Sequence, residues 1–193
     1  SLTARPNLRR DYLSAVFLAA GGLAVALSSV RLEGMLFFEA YRVDLFSQVF
    51  KVLVAAGFFL VVCLCSELNG IDERHHSEFF LFLTTCTLGM MLLVSAVELM
   101  TLYVALELSS FSLYLLVPLR KGDGLDVEAA VKYLFIGVLA SCVMLFGMSY
   151  VFGVAHTTHL AEIFRNLPQL MHQPGAAVGL LLLLAGFFFK LAV

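Results

Sequence analysis

Two charges sit where a membrane helix should carry none. Lys190 follows Gly179–Phe189, an otherwise uninterrupted apolar run, and Glu107 lies inside the run from Leu99 to Val117. An ionisable group at bilayer depth costs at least about 2.5–3.5 kcal/mol on insertion scales, so it must face protein or water, and it is a functional candidate by default. Any fold for this chain has to bury these two groups against partners.

The rest of the sequence supplies the membrane. Hydrophobic residues make up 61% of the 193 positions and charged residues only 13%, about half the share of roughly 25% found in soluble domains. Apolar runs of about 20 residues recur, the length at which a helix crosses a bilayer. The expected fold class is all-α, a polytopic transmembrane helical bundle in one domain. Its spans are read at about 11–30, 45–66, 78–96, 98–118, 127–153 and 176–193. The third and fourth are joined by almost nothing and should form a tight antiparallel pair.

Turn chemistry marks the connections: Asn69-Gly70 with Asp72, Gly122-Asp123-Gly124, and Pro168 through Pro174. Residues 157–167 have apolar positions at helical spacing, with Thr157 or Thr158 as a cap, and suit a short interfacial helix. The basic start (Arg5, Arg9, Arg10) before an apolar stretch mimics a signal peptide. The stretch is longer than a usual signal core and five more spans follow, so a true membrane helix is expected. Ser1 and the stop at Val193 are read as the ends of a fragment. Lys and Arg collect on one side (Arg5, Arg9, Arg10, Arg74, Arg120, Lys121) over the other (Arg31, Arg42, Arg165), which makes the first side cytoplasmic.

Each remaining polar group has a plain reading. Glu107 shares a helical face with Met100, Tyr103, Ser110 and Tyr114, which implies a hydrated or paired interior. Lys190 shares its face with Gly175, Gly179 and Gly186, a pattern that lets a second helix approach closely. From the residues alone, Lys132 is half of a surface ion pair with Glu128, with Asp126 as the helix cap. Lys51, on a face with Asp44, Ser47 and Gln48, is an interfacial anchor; Glu98 starts its helix and is structural. The five histidines fall in loops. The four cysteines lie in apolar runs without CxxC spacing, so neither a disulfide framework nor a zinc site is expected. A net charge of −2 argues against a large nucleic-acid surface. No phosphate loop, cofactor fingerprint or nucleophile elbow is present. Acid and base chemistry inside a membrane points to proton or cation passage.

Four motifs then carry a resemblance. YVALELSSFSLY (Tyr103–Tyr114) resembles the LELxSLPLY signature of the antiporter-like membrane subunits of complex I, the proton-pumping NADH:quinone oxidoreductase. VEAAVKY (Val127–Tyr133) resembles their EAAxKY motif, FFFKLAV (Phe187–Val193) their GFKLAxxPFH motif, and YRVDLF (Tyr41–Phe46) their RVDxF motif. Leu106, where paralogous subunits carry tryptophan, favours the subunit N branch. Phe111-Ser112 and Phe188 depart from the usual Leu-Pro and Gly.

The resemblance implies an antiporter-like bundle truncated within the first of two inverted repeats. It makes Glu107 and Lys132 a charged pair, and Lys190 the lysine of a broken helix that exchanges protons with a central axis. It implies no redox centre in this chain, with NADH, FMN, iron–sulfur clusters and quinone belonging to partner subunits. Other membrane subunits of the complex and the lipid bilayer would be its partners, and the inner (plasma) membrane of a bacterium its location. A stand-alone cation/proton antiporter subunit, or a membrane scaffold held by structural ion pairs, are the alternatives.

Overall fold

The computed structural model describes residues 8–66, 68, 70–120 and 124–191. Seven α-helices run through them: α1 (Leu8–Ser28), α2 (Leu45–Leu64), α3 (His76–Ser95), α4 (Leu99–Leu116), α5 (Gly124–Ala155), α6 (Leu160–Leu170) and α7 (Pro174–Lys190). The first five are long and apolar enough to cross a membrane. The α7 helix has 17 residues and ends at Lys190, where the Leu191 N–H still bonds the Phe187 carbonyl at 3.1 Å. Its outward side chains are mostly apolar, as are those of the five longer helices. Phe17, Leu53, Phe135 and Leu181 are all well exposed, as a lipid-facing surface requires.

The first five expected spans fall on α1 to α5 to within a few residues; the sixth, 176–193, falls on the 17-residue α7, which is shorter than the five helices long enough to span. Asp126 was expected to cap the fifth span, but α5 already begins at Gly124, so Asp126 lies within its first turn. Pro168 was expected to open a connection, yet α6 runs through it. A proline near a helix end forfeits one hydrogen bond, and the Met171 N–H closes the last turn on the Leu167 carbonyl at 3.0 Å. The turn residues Asn69, Gly122 and Asp123, and the basic Arg5 and Lys121, lie outside the described residues.

A β-hairpin was not expected at all. β1 (Gly34–Leu36) pairs antiparallel with β2 (Tyr41–Val43). Its tip holds Phe37, Phe38 and Glu39 in the left-handed region, at φ 53°, 54° and 66°. Asp44 then starts α2 with a capping box: its Oδ1 accepts from the Ser47 N–H at 2.8 Å, and its own N–H donates to Ser47 Oγ at 3.0 Å.

Backbone bonds lace one end of the bundle together. The Val97 N–H donates to Ala40 C=O (3.2 Å), Leu160 N–H to Val97 C=O (3.0 Å), and Leu99 N–H to Thr158 C=O (2.9 Å). The hairpin, the α3–α4 connection and the entry to α6 thus share one hydrogen-bond network. At the opposite end Ile71 bridges Arg120. Arg9, Arg10, Arg74 and Arg120 belong to that second end, and Arg31, Arg42 and Arg165 to the first.

Glycines set the helix spacing. A Cβ on Gly89 would stand 2.6 Å from the Ser109 nitrogen, so α3 and α4 touch backbone to backbone as the short connection demands. Between α5 and α7, a Cβ on Gly186 would meet Ala140 O at 2.7 Å, one on Gly179 the Gly147 carbonyl at 3.0 Å, and one on Gly147 the Gly179 carbonyl at 2.6 Å. Of the face read from sequence, Gly179 and Gly186 make the close approach, while a Cβ on Gly175 would make only ordinary contacts, at 3.9 Å from Tyr150 and Val154. Met144, Met148, Val151 and Ala176 fill the seam, together with Leu99 and Leu106 of α4 and Ile163 of α6.

Overpacking such a seam costs about 1–3 kcal/mol. Gly147→Leu should therefore lower the thermal midpoint of the purified subunit. Gly57→Leu, where a Cβ meets nothing within 4 Å, should stay within about ±0.5 kcal/mol.

Candidate functional site: a buried ion pair between α4 and α7

Glu107 stands near the middle of α4, about 12 Å from Leu99 at 1.5 Å per residue. Lys190, about 24 Å along α7 from Pro174, is the residue of that helix that reaches it. Its Nζ donates to Glu107 Oε1 at 2.6 Å. The lysine side chain is 6% exposed and the carboxylate 20%. The glycine seam explains the reach: α7 lies close enough on α5 for a lysine on that face to cross to α4. Two charges that would each be costly alone satisfy one another.

Lys132 stands elsewhere. Its Nζ donates to Glu128 Oε1 at 2.5 Å, one turn back on α5, with side-chain exposures of 69% and 58%. The pairing implied by resemblance, Glu107 with Lys132, is therefore not the one the structure holds: Lys190 is the closer cation to Glu107. The i,i+4 spacing within one helix already gave Lys132 a partner.

Beside the buried pair lies a cleft of about 440 Å³, lined by Ser110, Tyr114, Tyr133, Gly137, Phe189 and Lys190 among others. Ser110 and Tyr114 belong to the face read from sequence; Tyr103 of that face packs against the apolar core, and Met100 is largely exposed. Tyr133 and Gly137 were missed, although their i,i+4 spacing on α5 puts them on one face. Tyr114 is buried, its ring edge-on to Tyr133 at 4.8 Å between centroids.

The other ionisable groups are structural in their surroundings. Lys51, expected as an interfacial anchor, is buried at 9% exposure with its Nζ 4.8 Å from the centre of the Tyr41 ring. That is a cation–π distance. Glu98 accepts from Thr101 at 2.8 Å and from Thr158 at 2.7 Å, joining α4 to the α5–α6 connection. The Thr158 hydrogen bond is the main reason its carboxyl lies below the usual carboxylate range; Thr101 and His159 add to this, while burial opposes it. Among the described residues no group of three His, Cys, Asp or Glu side chains gathers to hold a metal.

A profile for the membrane region of the NADH:quinone oxidoreductase/Mrp antiporter family matches residues 96–193, which hold Glu107, Lys132 and Lys190. The chain belongs to this family. It is similar to NADH-quinone oxidoreductase subunit N 2 of Syntrophobacter fumaroxidans, 52% identical over all of this chain and 41% of that protein. The chain therefore spans about two fifths of such a relative. A chain in the structure of respiratory complex I from Thermus thermophilus with bound aureothin aligns with a TM-score of 0.74. It is 30% identical over 94% of this chain and 38% of that one. The Mrp complex of Dietzia sp. DQ12-45-1b shares the fold, with a TM-score of 0.70 at 17% identity over 94% of this chain and 36% of that one. An antiporter-like, multi-pass helical membrane fold is thereby established.

Breaking a buried pair leaves one uncompensated charge, at a cost of about 3–5 kcal/mol. Lys190→Met should lower the thermal midpoint correspondingly, whereas Lys132→Met should cost no more than about 0.5 kcal/mol, as exposed pairs do. For Glu98 the depressed carboxyl means a contribution present above the ordinary carboxylate range and lost as pH falls through the folded value. Amide protection at Val97, Leu99 and Leu160, taken against the intrinsic exchange rate at each pH, should therefore be high at neutral pH and fall as pH drops below the ordinary carboxylate range; protection that does not change with pH would contradict this.

Proposed function

We propose that this chain is part of an antiporter-like membrane subunit of an NADH:quinone oxidoreductase, of the subunit N type, and that Glu107, Lys190 and Lys132 carry its proton translocation. The observation that carries the reading is the buried 2.6 Å pair of Glu107 and Lys190 at mid-depth in the bundle. An isolated buried ion pair adds little net stability over apolar packing. Its value lies in what happens when it opens.

While the pair is closed, the ammonium and the carboxylate hold one another. Pulled apart, the lysine is free to hand its proton to a neighbouring water or hydroxyl. Closing the pair draws a proton back. Lys132, with Glu128 at the end that carries Arg74 and Arg120, is the exchanging group nearer the surface. Energy to open the pair comes from quinone reduction in partner subunits, which hold the NADH, FMN, iron–sulfur and quinone sites; this chain contributes acid–base groups and no redox centre. The other membrane subunits of the complex and the surrounding lipid are its partners, in the plasma membrane of a bacterium. The basic end faces the cytoplasm.

In the assembled complex in proteoliposomes, Glu107→Gln and Lys190→Met should each cut proton-coupled quinone reduction by tenfold or more while the subunit remains assembled. Lys132→Met should reduce it severalfold. Parental pumping by fully assembled Glu107→Gln and Lys190→Met complexes would refute the mechanism.

A further inference from the structure

Resting on the proton-translocating reading above, we propose that Tyr114 is a proton-relay residue: its phenol, seated against Gly137, passes protons between Lys190 and water in the cleft that opens toward the basic end of the bundle. The cleft lies on that side by helix geometry. Tyr114 is half a turn from the end of α4 at Leu116, Tyr133 is in the first third of α5, and Lys190 is at the end of α7. All three helices present the same half of the bundle there.

Three features set this cleft apart from a lipid-filled groove. Its volume of about 440 Å³ holds several waters, each of which takes about 30 Å³ of liquid. Waters also need polar partners, and the hydroxyls of Ser110, Tyr114 and Tyr133 with the Lys190 ammonium provide them. By contrast the apolar cleft near the other end, between Leu99, Met100, Met148 and Phe152, has almost no polar lining.

The second feature is the fit of the phenol. A Cβ on Gly137 would collide with the Tyr114 hydroxyl and stand 3.0 Å from Cε1. The ring is therefore laid on bare α5 backbone, in a notch that only glycine leaves. Tyr133 packs edge-on at 84° and Phe111 at 62°. A ring held on these sides has one hydroxyl position, not a choice of several.

The third feature is alignment. Glu107, Ser110 and Tyr114 share one face of α4, so hydroxyls step away from the buried carboxylate toward the basic end at about one turn, 5.4 Å, each. A phenol both donates and accepts. When the Lys190 ammonium gives up a proton, Tyr114 oxygen accepts it, directly or through one water, as its own O–H proton passes to the next water. The hydroxyl is neutral before and after. Phenylalanine preserves the ring packing and removes this step.

Tyr114→Phe in the full complex in proteoliposomes tests it, with proton pumping and the solvent deuterium isotope effect as readouts. The expected result is a 3- to 10-fold slower pumping rate, an isotope effect above the parental one, and unchanged subunit assembly. A parental rate, or a slower rate with the parental isotope effect, overturns the relay. Running Glu107→Gln alongside separates the failures: if it abolishes pumping while Tyr114→Phe does not, only the relay falls. Should Tyr114→Phe fail to assemble, Ser110→Cys in a background lacking Cys63, Cys65, Cys86 and Cys142 decides the matter. A charged thiol reagent applied to inside-out vesicles should label it, and an unlabelled Ser110→Cys shows the cleft to be sealed and overturns the proposal.

Discussion

The bundle is organised around one contact, the 2.6 Å hydrogen-bonded ion pair of Lys190 with Glu107. Neither charge is tolerable alone at that depth, so every helix that brings them together is constrained. The constraint falls hardest on α7, which must approach α5 closely to point a lysine at α4. Gly147, Gly179 and Gly186 permit the approach; a Cβ at any of them would stand 2.4–2.7 Å from atoms of the neighbouring helix. Packing between apolar helices in lipid has no hydrophobic drive of its own. Backbone proximity and a polar pair are the terms available, and this chain uses both in the same seam.

The two ends of the bundle are built differently. One is laced by backbone bonds among the hairpin, the α3–α4 connection and the entry to α6, with Glu98 held by Thr101 and Thr158. The apolar core next to it, which includes Leu99, Ile163 and Ala176, borders a cleft with almost no polar lining. The other end carries the hydroxyl-lined cleft and the exposed Lys132–Glu128 pair. A laced end with an apolar cleft and an end with a hydroxyl-lined cleft, on either side of an ion pair, suit a device that admits protons from one side.

Much of this was legible in the sequence. Glu107 and Lys190 announce themselves as charges in apolar runs, and glycines at helical spacing told which way Lys190 turns. The helices followed from run length, and the tight α3–α4 pair from the near absence of a connection. Pairing was not legible, because two lysines were available and only the crossing of α7 over α5 decides which is near Glu107. The hairpin escaped because its strands are three residues each and its left-handed tip, Phe37 to Glu39, lacks the glycine or asparagine that signals such backbone. Lys51 looked like a surface anchor because its burial depends on Tyr41, which that hairpin brings across. The Tyr133–Gly137 side of the cleft was hidden in an apolar face that only became polar once Tyr114 was laid on it.

The most direct test concerns the charge state of the pair. Isotope-edited infrared spectroscopy of the glutamate carboxyls in the assembled complex, at neutral pH, resolves ionised from protonated Glu107, the assignment being made by loss of the band in Glu107→Gln. If Lys190 is the cation that keeps Glu107 ionised, Lys190→Met produces a protonated-carboxyl band and Lys132→Met does not. A band that appears in Lys132→Met and is absent in Lys190→Met would contradict the pairing on which the mechanism stands.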